Sequence, residues 1–146
     1  MATLDDVRAL IDSGGHQAVV SATRADGSIQ SSVVVAGVAQ HPVTGEHVIA
    51  FTTPATSVKL RFLRARPAAT VVFQSGRRWA SVEGTADLIG YADPFDGVGA
   101  EDLRLLLRHA FTAAGGSHDD WAAYDQAMAE QRRSAVLVRP SRIVAM

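Results

Sequence analysis

A regular alternation of side chains runs from Trp79 to Leu88 and is the clearest structural signal in the chain. Small or apolar residues occupy every second position, and the positions between them carry Trp79, Ser81, Glu83, Thr85 and Asp87. Successive side chains of a β-strand point to opposite faces of its sheet, so the pattern predicts a strand. One face of this strand is expected to lie on a core, and the other to face water or a partner.

Five further strands are predicted from apolar runs and turn residues, at 16–23, 28–39, 47–53, 68–75 and 135–138, the last resuming at 143–144. The pair Asp26-Gly27 is a typical hairpin turn between the first two. Short helices are predicted after Thr3, within 53–67, from Glu101 and from an N-cap at Ser117. Six strands in hairpin order with short flanking helices predict an α+β domain, residues 1–146, built on an antiparallel β-barrel.

Composition excludes several classes of function. The chain has 146 residues, 20% of them charged, and a net charge of −1, which argues against a nucleic-acid partner. No apolar run approaches the roughly 18 residues of a membrane span, and the N-terminus lacks the pattern of a signal peptide, so a cytoplasmic protein is expected. With no cysteine and no closely spaced histidine pair, no metal site is expected. Hydrolase and nucleotide-binding motifs are also absent.

The stretch Thr53 to Pro67 predicts a strand–helix junction that holds a phosphate. Lys59 is the one lysine among 14 basic residues, and Ser57 stands at the expected N-cap. A helix N-terminus offers free N–H groups to an anion, and a lysine in the first turn adds a charge. At about 100° per residue, Arg61 and Arg64 lie on a different side from Lys59. A solvated basic helix that covers a barrel end is the alternative interpretation.

Other candidate residues also have two interpretations. Trp79 on the polar face of its strand is typical of an interface or ligand contact, and equally of a cap on a barrel edge. Gln30, Ser31 and Ser32 place polar atoms beside a run of valines, which suits a flat heteroaromatic ring or an ordinary edge strand. In the last predicted helix, three spaced residues are expected in the core (Trp121, Tyr124 and Met128), and two arginines in the last turn (Arg132 and Arg133).

Taken together, these motifs resemble a known family. Ser57-x-Lys59, then Leu63-x-x-x-Pro67, an apolar strand and Glu83-Gly84-Thr85-Ala86 resemble the pyridoxamine 5′-phosphate oxidase-like, FMN-binding split β-barrel family. The segment from His118 to Arg133, with Trp121, Tyr124, Gln126 and Met128, is similar to the actinobacterial flavin/deazaflavin oxidoreductases. The resemblance spans nearly the whole chain and implies a six-stranded antiparallel split β-barrel.

The resemblance also implies a cofactor and an assembly. It implies a homodimer with the deazaflavin coenzyme F420, a hydride carrier, in grooves at the subunit interface, and a small conjugated organic molecule as hydride acceptor. By position, Ser57 and Lys59 would bind the cofactor phosphate, and Trp79 would lie near the interface. The ring would be lined by Gln30, Ser32 and Val33, and Arg132 and Arg133 would approach the acidic tail. It assigns no catalytic residue.

One departure from the family pattern bears on the cofactor. Flavin-binding oxidases of this family carry Ser-Arg-Lys, whereas Val58 stands at the arginine position here. The missing charge disfavours FMN and favours an F420-dependent oxidoreductase. Two alternatives remain open, namely an FMN-dependent oxidase or reductase on the same fold, and a non-catalytic dimer that binds a cofactor or tetrapyrrole.

Overall fold

The protein consists of seven strands and four helices, described over residues 1–146 by a computed structural model. The strands are β1 (Gln17–Thr23), β2 (Ile29–Val35), β3 (Gly37–Gln40), β4 (His47–Thr53), β5 (Ala68–Ser75), β6 (Arg78–Gly90) and β7 (Ser134–Ala145). The helices are α1 (Leu4–Gly14), α2 (Val58–Ala65), α3 (Ala100–Ala113) and α4 (Trp121–Glu130). All strands join one antiparallel sheet in the order β2-β1-β5-β6-β7-β4-β3.

The predicted number of strands is wrong, because the segment 28–39 is divided at Ala36. β2 pairs with β1, whereas β3 pairs with β4 at the far end of the sheet. The sheet therefore has seven strands and is not closed by hydrogen bonds. Its two edge strands, β2 and β3, are nevertheless adjacent in the sequence. Gly37 is needed at this bend, since a Cβ there would lie 1.8 Å from the carbonyl oxygen of Ala113.

The two cores of the protein lie on opposite faces of β4 and β7. Ile49 and Phe51 of β4 pack with α1 and α2 inside the curved sheet. Val48 and Ala50 point the other way and pack against α3 and α4. β4 and β7 thus read as nearly continuous apolar runs because both of their faces are covered. The alternation predicted for β6 is confirmed by buried Ala80, Val82 and Ala86.

The predicted start of α1 is confirmed, and that of α4 is wrong. Thr3 and Asp6 form the predicted capping box of α1. The expected N-cap at Ser117 is wrong, because the Asp120 side chain accepts from the Ala123 N–H and α4 begins at Trp121. Arg132 and Arg133 consequently lie beyond the end of α4 rather than in its last turn. None of the four helices is long and apolar enough to span a bilayer.

Candidate functional site

A cavity of about 490 Å³ lies where the ends of β2 and β4 meet three helices. Its lining comprises Val33, Val34, Val35, Thr52, Thr53, Lys59, Ala110, Phe111, Ala114, Gly116, Tyr124, Met128 and Arg133. Most of this wall is apolar, and no acidic residue or histidine contributes to it. Two cations, Lys59 and Arg133, supply the formal charge of the cavity.

Lys59 reaches the cavity from the first turn of α2 and has no acidic partner. Its Nζ donates to Oγ of Ser57, the N-cap residue, at 3.4 Å, and no carboxylate lies within ion-pair distance. Partial burial lowers the pKa of Lys59, since removal of water disfavours the charged ammonium. The Ser57 side chain makes no cap hydrogen bond with α2, so the backbone N–H groups of the first turn receive no side-chain cap from it.

Arg133 is the second cation and likewise lacks an acid. Its Nε donates to Oε1 of Gln131 at 2.7 Å, and its Nη1 donates to Oγ1 of Thr52 at 3.2 Å. Burial lowers the pKa of Arg133, with a smaller opposing effect from Tyr124. Both hydrogen bonds use neutral acceptors, so the guanidinium charge remains uncompensated by this chain.

The end of α4 aims Arg133 at the cavity. Arg132 has φ of 49°, its N–H donates to the Ala129 carbonyl, and the Arg133 N–H reaches back to the Met128 carbonyl. These are the bonds of a Schellman motif, in which glycine is the usual left-handed residue. An arginine with a Cβ in this conformation is uncommon. The turn leaves Arg132 exposed and directs Arg133 inward.

The structure brings together only some of the predicted site residues. Val33, Lys59 and Arg133 line the cavity, and Ser57 contacts Lys59. Gln30 and Ser32 lie on the half-buried face of β2 outside the lining, and Arg132 extends into solvent. Trp79 stands at the start of β6, also outside the lining, with 37% of its surface exposed.

Ser32 carries a separate signal, because its Oγ is buried and has no hydrogen-bond partner. Buried hydroxyl groups without partners are rare in native proteins. Ser32 lies outside the cavity lining, however, so the charged groups that would meet an anionic ligand there are the two uncompensated cations. The donor set therefore fits a phosphate-bearing cofactor with a flat ring, which the apolar part of the wall would contact.

Sequence reasoning missed part of the cavity. Tyr124 and Met128 were assigned to the core, and both are buried, yet they also line the cavity with Phe111. Tyr124 donates its hydroxyl to the Leu107 carbonyl at 2.7 Å, and burial raises its pKa to about 12. Its ring stacks on Phe111 with centroids 4.9 Å apart. The sequence signal for this wall is a stripe of aromatic residues on one face of a helix. A helix that packs into the core has the same pattern, so the stripe alone does not indicate a cavity.

Solved structures share the fold at low sequence identity. A conserved hypothetical protein from Mycobacterium tuberculosis aligns over 99% of this chain and 84% of its own, with 19% identity and a TM-score of 0.70. An F420 reductase aligns over 94% of both chains, with 20% identity and a TM-score of 0.60. A pyridoxamine 5′-phosphate oxidase-related, FMN binding protein from Nostoc punctiforme covers 97% and 79%, with 15% identity and a TM-score of 0.59.

These likenesses confirm the predicted α+β class and its antiparallel sheet. No protein-family model and no curated protein sequence matches the chain.

Proposed function

We propose that the protein is an F420-dependent oxidoreductase that transfers a hydride between the reduced deazaflavin and a small conjugated organic acceptor. The observation that carries the proposal is the pair of cations in the cavity, Lys59 and Arg133, neither of which has a carboxylate partner. Structural cations in proteins are usually paired when they are withdrawn from water. Cations left unpaired against an apolar wall are suited to an anionic ligand with a flat ring.

Each residue of the site has a distinct role in binding. Lys59, with Ser57 and the N–H groups that open α2, would hold the phosphate. Val33 would contact the ring, whereas Ser32 and Gln30 point to the opposite face of β2 and lie outside the lining. Arg133 would bind a second anionic group, and Arg132 would meet the acidic tail outside the cavity. No carboxylate or histidine lines the cavity, so the side chains would bind, orient and exclude water.

The cofactor would supply the redox chemistry. When bound in reduced form it would supply a hydride, that is, two electrons and a proton, and a second proton from solvent would complete reduction of the acceptor. The protein would fix the distance between the cofactor ring and the acceptor, and the face of the ring that the acceptor approaches.

Two facts support F420 over FMN. Val58, at the first position of α2, is 48% exposed and adds no charge where the flavin oxidases of the resembled family have arginine. Arg132 and Arg133 add charge beyond the phosphate position, which suits a ligand with further carboxylates. The FMN binding protein of the same fold keeps FMN as the second candidate.

We also propose a homodimer, formed through the outer face of the sheet. Val33, Val19, Val72, Ser81 and Val144 lie side by side across five strands, and no helix covers them. Val33 is 66% exposed and Val19 40% exposed. Because Val33 also lines the cavity, a second copy on this face would complete the ring site and bring Trp79 close to the interface.

Fluorescence titration with F420 and with FMN tests the proposal directly. We expect F420 to bind and FMN to bind more weakly, and reduced F420 to be oxidised when a panel of conjugated acceptors is added. A yellow protein that retains flavin through purification would contradict F420 and favour the FMN candidate. Tight binding of F420 or a tetrapyrrole without turnover of any acceptor would instead identify a non-catalytic binding protein.

A further inference from the structure

A buried carboxylate outside the cavity joins the two segments that carry its cations. Asp93 lies in the loop after β6 and is 9% exposed. Oδ1 accepts from Arg64 Nε at 2.6 Å, and Oδ2 accepts from Arg64 Nη2 at 2.9 Å. Oδ2 also accepts from the Ser134 hydroxyl at 2.5 Å. Arg64 belongs to α2, the helix of Lys59, and Ser134 directly follows Arg133.

The surroundings of Asp93 leave little freedom of movement. Its backbone exchanges hydrogen bonds with Gly90, N–H to O at 3.1 Å in one direction and 2.9 Å in the other. Ser134 is fully buried, and a Cβ on Gly90 would lie 2.0 Å from its hydroxyl oxygen. The Tyr91 N–H donates to the Arg133 carbonyl at 3.3 Å. The loop after β6 therefore holds both the backbone of Arg133 and the side chain of its neighbour.

We infer that Asp93 is a positioning residue that sets the separation of Lys59 and Arg133 and thereby the preference of the cavity for a phosphorylated ligand. This inference rests on the proposed phosphate site. Asp93 does not line the cavity and acts through Arg64 and Ser134. A two-point fork between one carboxylate and one guanidinium fixes orientation as well as distance, which a single contact does not. Hydrogen bonds to Arg64 and Ser134 also lower the pKa of Asp93, so the carboxylate stays charged near neutral pH.

The test compares F420 with its phosphate-free deazaflavin core in fluorescence titrations of the intact protein. We expect Asp93→Asn to weaken F420 binding about tenfold, a coupling typical of residues in one network, and to leave binding of the core within about twofold. Ser134→Ala keeps the two-point contact between Asp93 and Arg64. It is expected to lower the ratio of F420 affinity to core affinity in the same direction, but by less. Equal losses for the two ligands would mean that Asp93 only supports the fold, and would overturn the inference.

A double-mutant cycle separates this inference from the proposed function. In a Lys59→Ala background the effect of Asp93→Asn on F420 binding is expected to shrink to about twofold, because one of the two cations whose separation it sets is gone. An undiminished tenfold loss would overturn the positioning role. If Lys59→Ala alone leaves F420 affinity unchanged, the phosphate site itself fails. Should Asp93→Asn not fold, Ser134→Ala carries the same cycle, with unfolding curves as the check on structure.

Discussion

Two groups of basic side chains, one between α3 and α4 and one in the cavity, differ in whether acids of the same chain neutralise them. Between α3 and α4, Arg104 and Arg108 both donate to the Asp125 carboxylate, at 3.0 Å and 2.9 Å, and Arg104 also pairs with Glu101. In the cavity, Lys59 and Arg133 have only neutral partners. The first group satisfies its charges within the chain, and the second leaves them for a ligand. The distinction separates basic residues that hold helices together from those expected to bind.

The largest effect is expected from Lys59→Ala, which removes one of the two cations that lack an acidic partner. Loss of a charge-assisted hydrogen bond is expected to weaken cofactor binding by about 1.5–3 kcal/mol, measured by fluorescence titration. Unfolding by urea should change little, since the only partner lost within the chain is the Ser57 hydroxyl at 3.4 Å. Arg61→Ala is the matched control, as Arg61 is an exposed cation on the same helix and is expected to have little effect. Equal affinity in Lys59→Ala and the parent would remove the phosphate assignment.

Arg132→Gly tests whether the left-handed backbone conformation of Arg132, which lowers stability, coincides with a role of its side chain in cofactor binding. Glycine adopts the left-handed conformation freely, so this variant is expected to gain about 1 kcal/mol of unfolding free energy in urea. Affinity for F420 should fall at the same time, because an exposed guanidinium is lost. Ala129→Gly is the control, since Ala129 is exposed inside α4 and glycine there should lower stability without removing a side chain that contacts Arg133. A gain in stability with unchanged affinity would leave Arg132 without a role in binding.

The smallest effect is expected in acid, at the paired group on α3 and α4. The hydrogen bond from Arg108, with a second from Arg104, lowers the pKa of Asp125 to about 2. A carboxyl group whose pKa is depressed on folding stabilises the native state above its unfolded value, near 3.8, and loses that contribution as pH falls towards 2. Asp125→Asn should therefore lower the melting temperature by a few degrees at pH 7, with the difference shrinking below pH 4. Cofactor affinity at pH 7 should be unchanged.

The elements were more predictable from sequence than their arrangement. The bounds predicted for β4 and β5 are confirmed, because apolar runs flanked by turn residues specify short strands locally. The division at Ala36 is not predicted, since the one local signal is Gly37, and a single glycine inside a strand pattern indicates no more than a bulge. What bends the chain there is the approach of α3 to Gly37, a contact between residues far apart in sequence.

The same limit applies to the site. Ser57 and Lys59 were identified because a helix start is readable from local residue types. Nothing local shows which arginines will lack acids. Arg64 meets Asp93, 29 residues away, and Arg133 meets Thr52, 81 residues away. Only the fold shows that Arg64 is paired with an acid and stabilises the loop after β6, whereas Arg133 has no acidic partner.

The sheet order also has a consequence for the path of folding. β7 lies between β6 and β4, so it is the only hydrogen-bonded link between the β2-β1-β5-β6 group and the β4-β3 hairpin. The hairpins β1–β2, β3–β4 and β5–β6 can each form from neighbours in sequence, whereas the β1–β5 pair joins distant segments. The strand β7 must in addition insert between β6 and β4, which is a further slow, non-local step. Arg133 immediately precedes β7 and gains its place only when that strand docks. We therefore expect cofactor binding during refolding to lag behind early strand formation, so that binding reports the completed sheet.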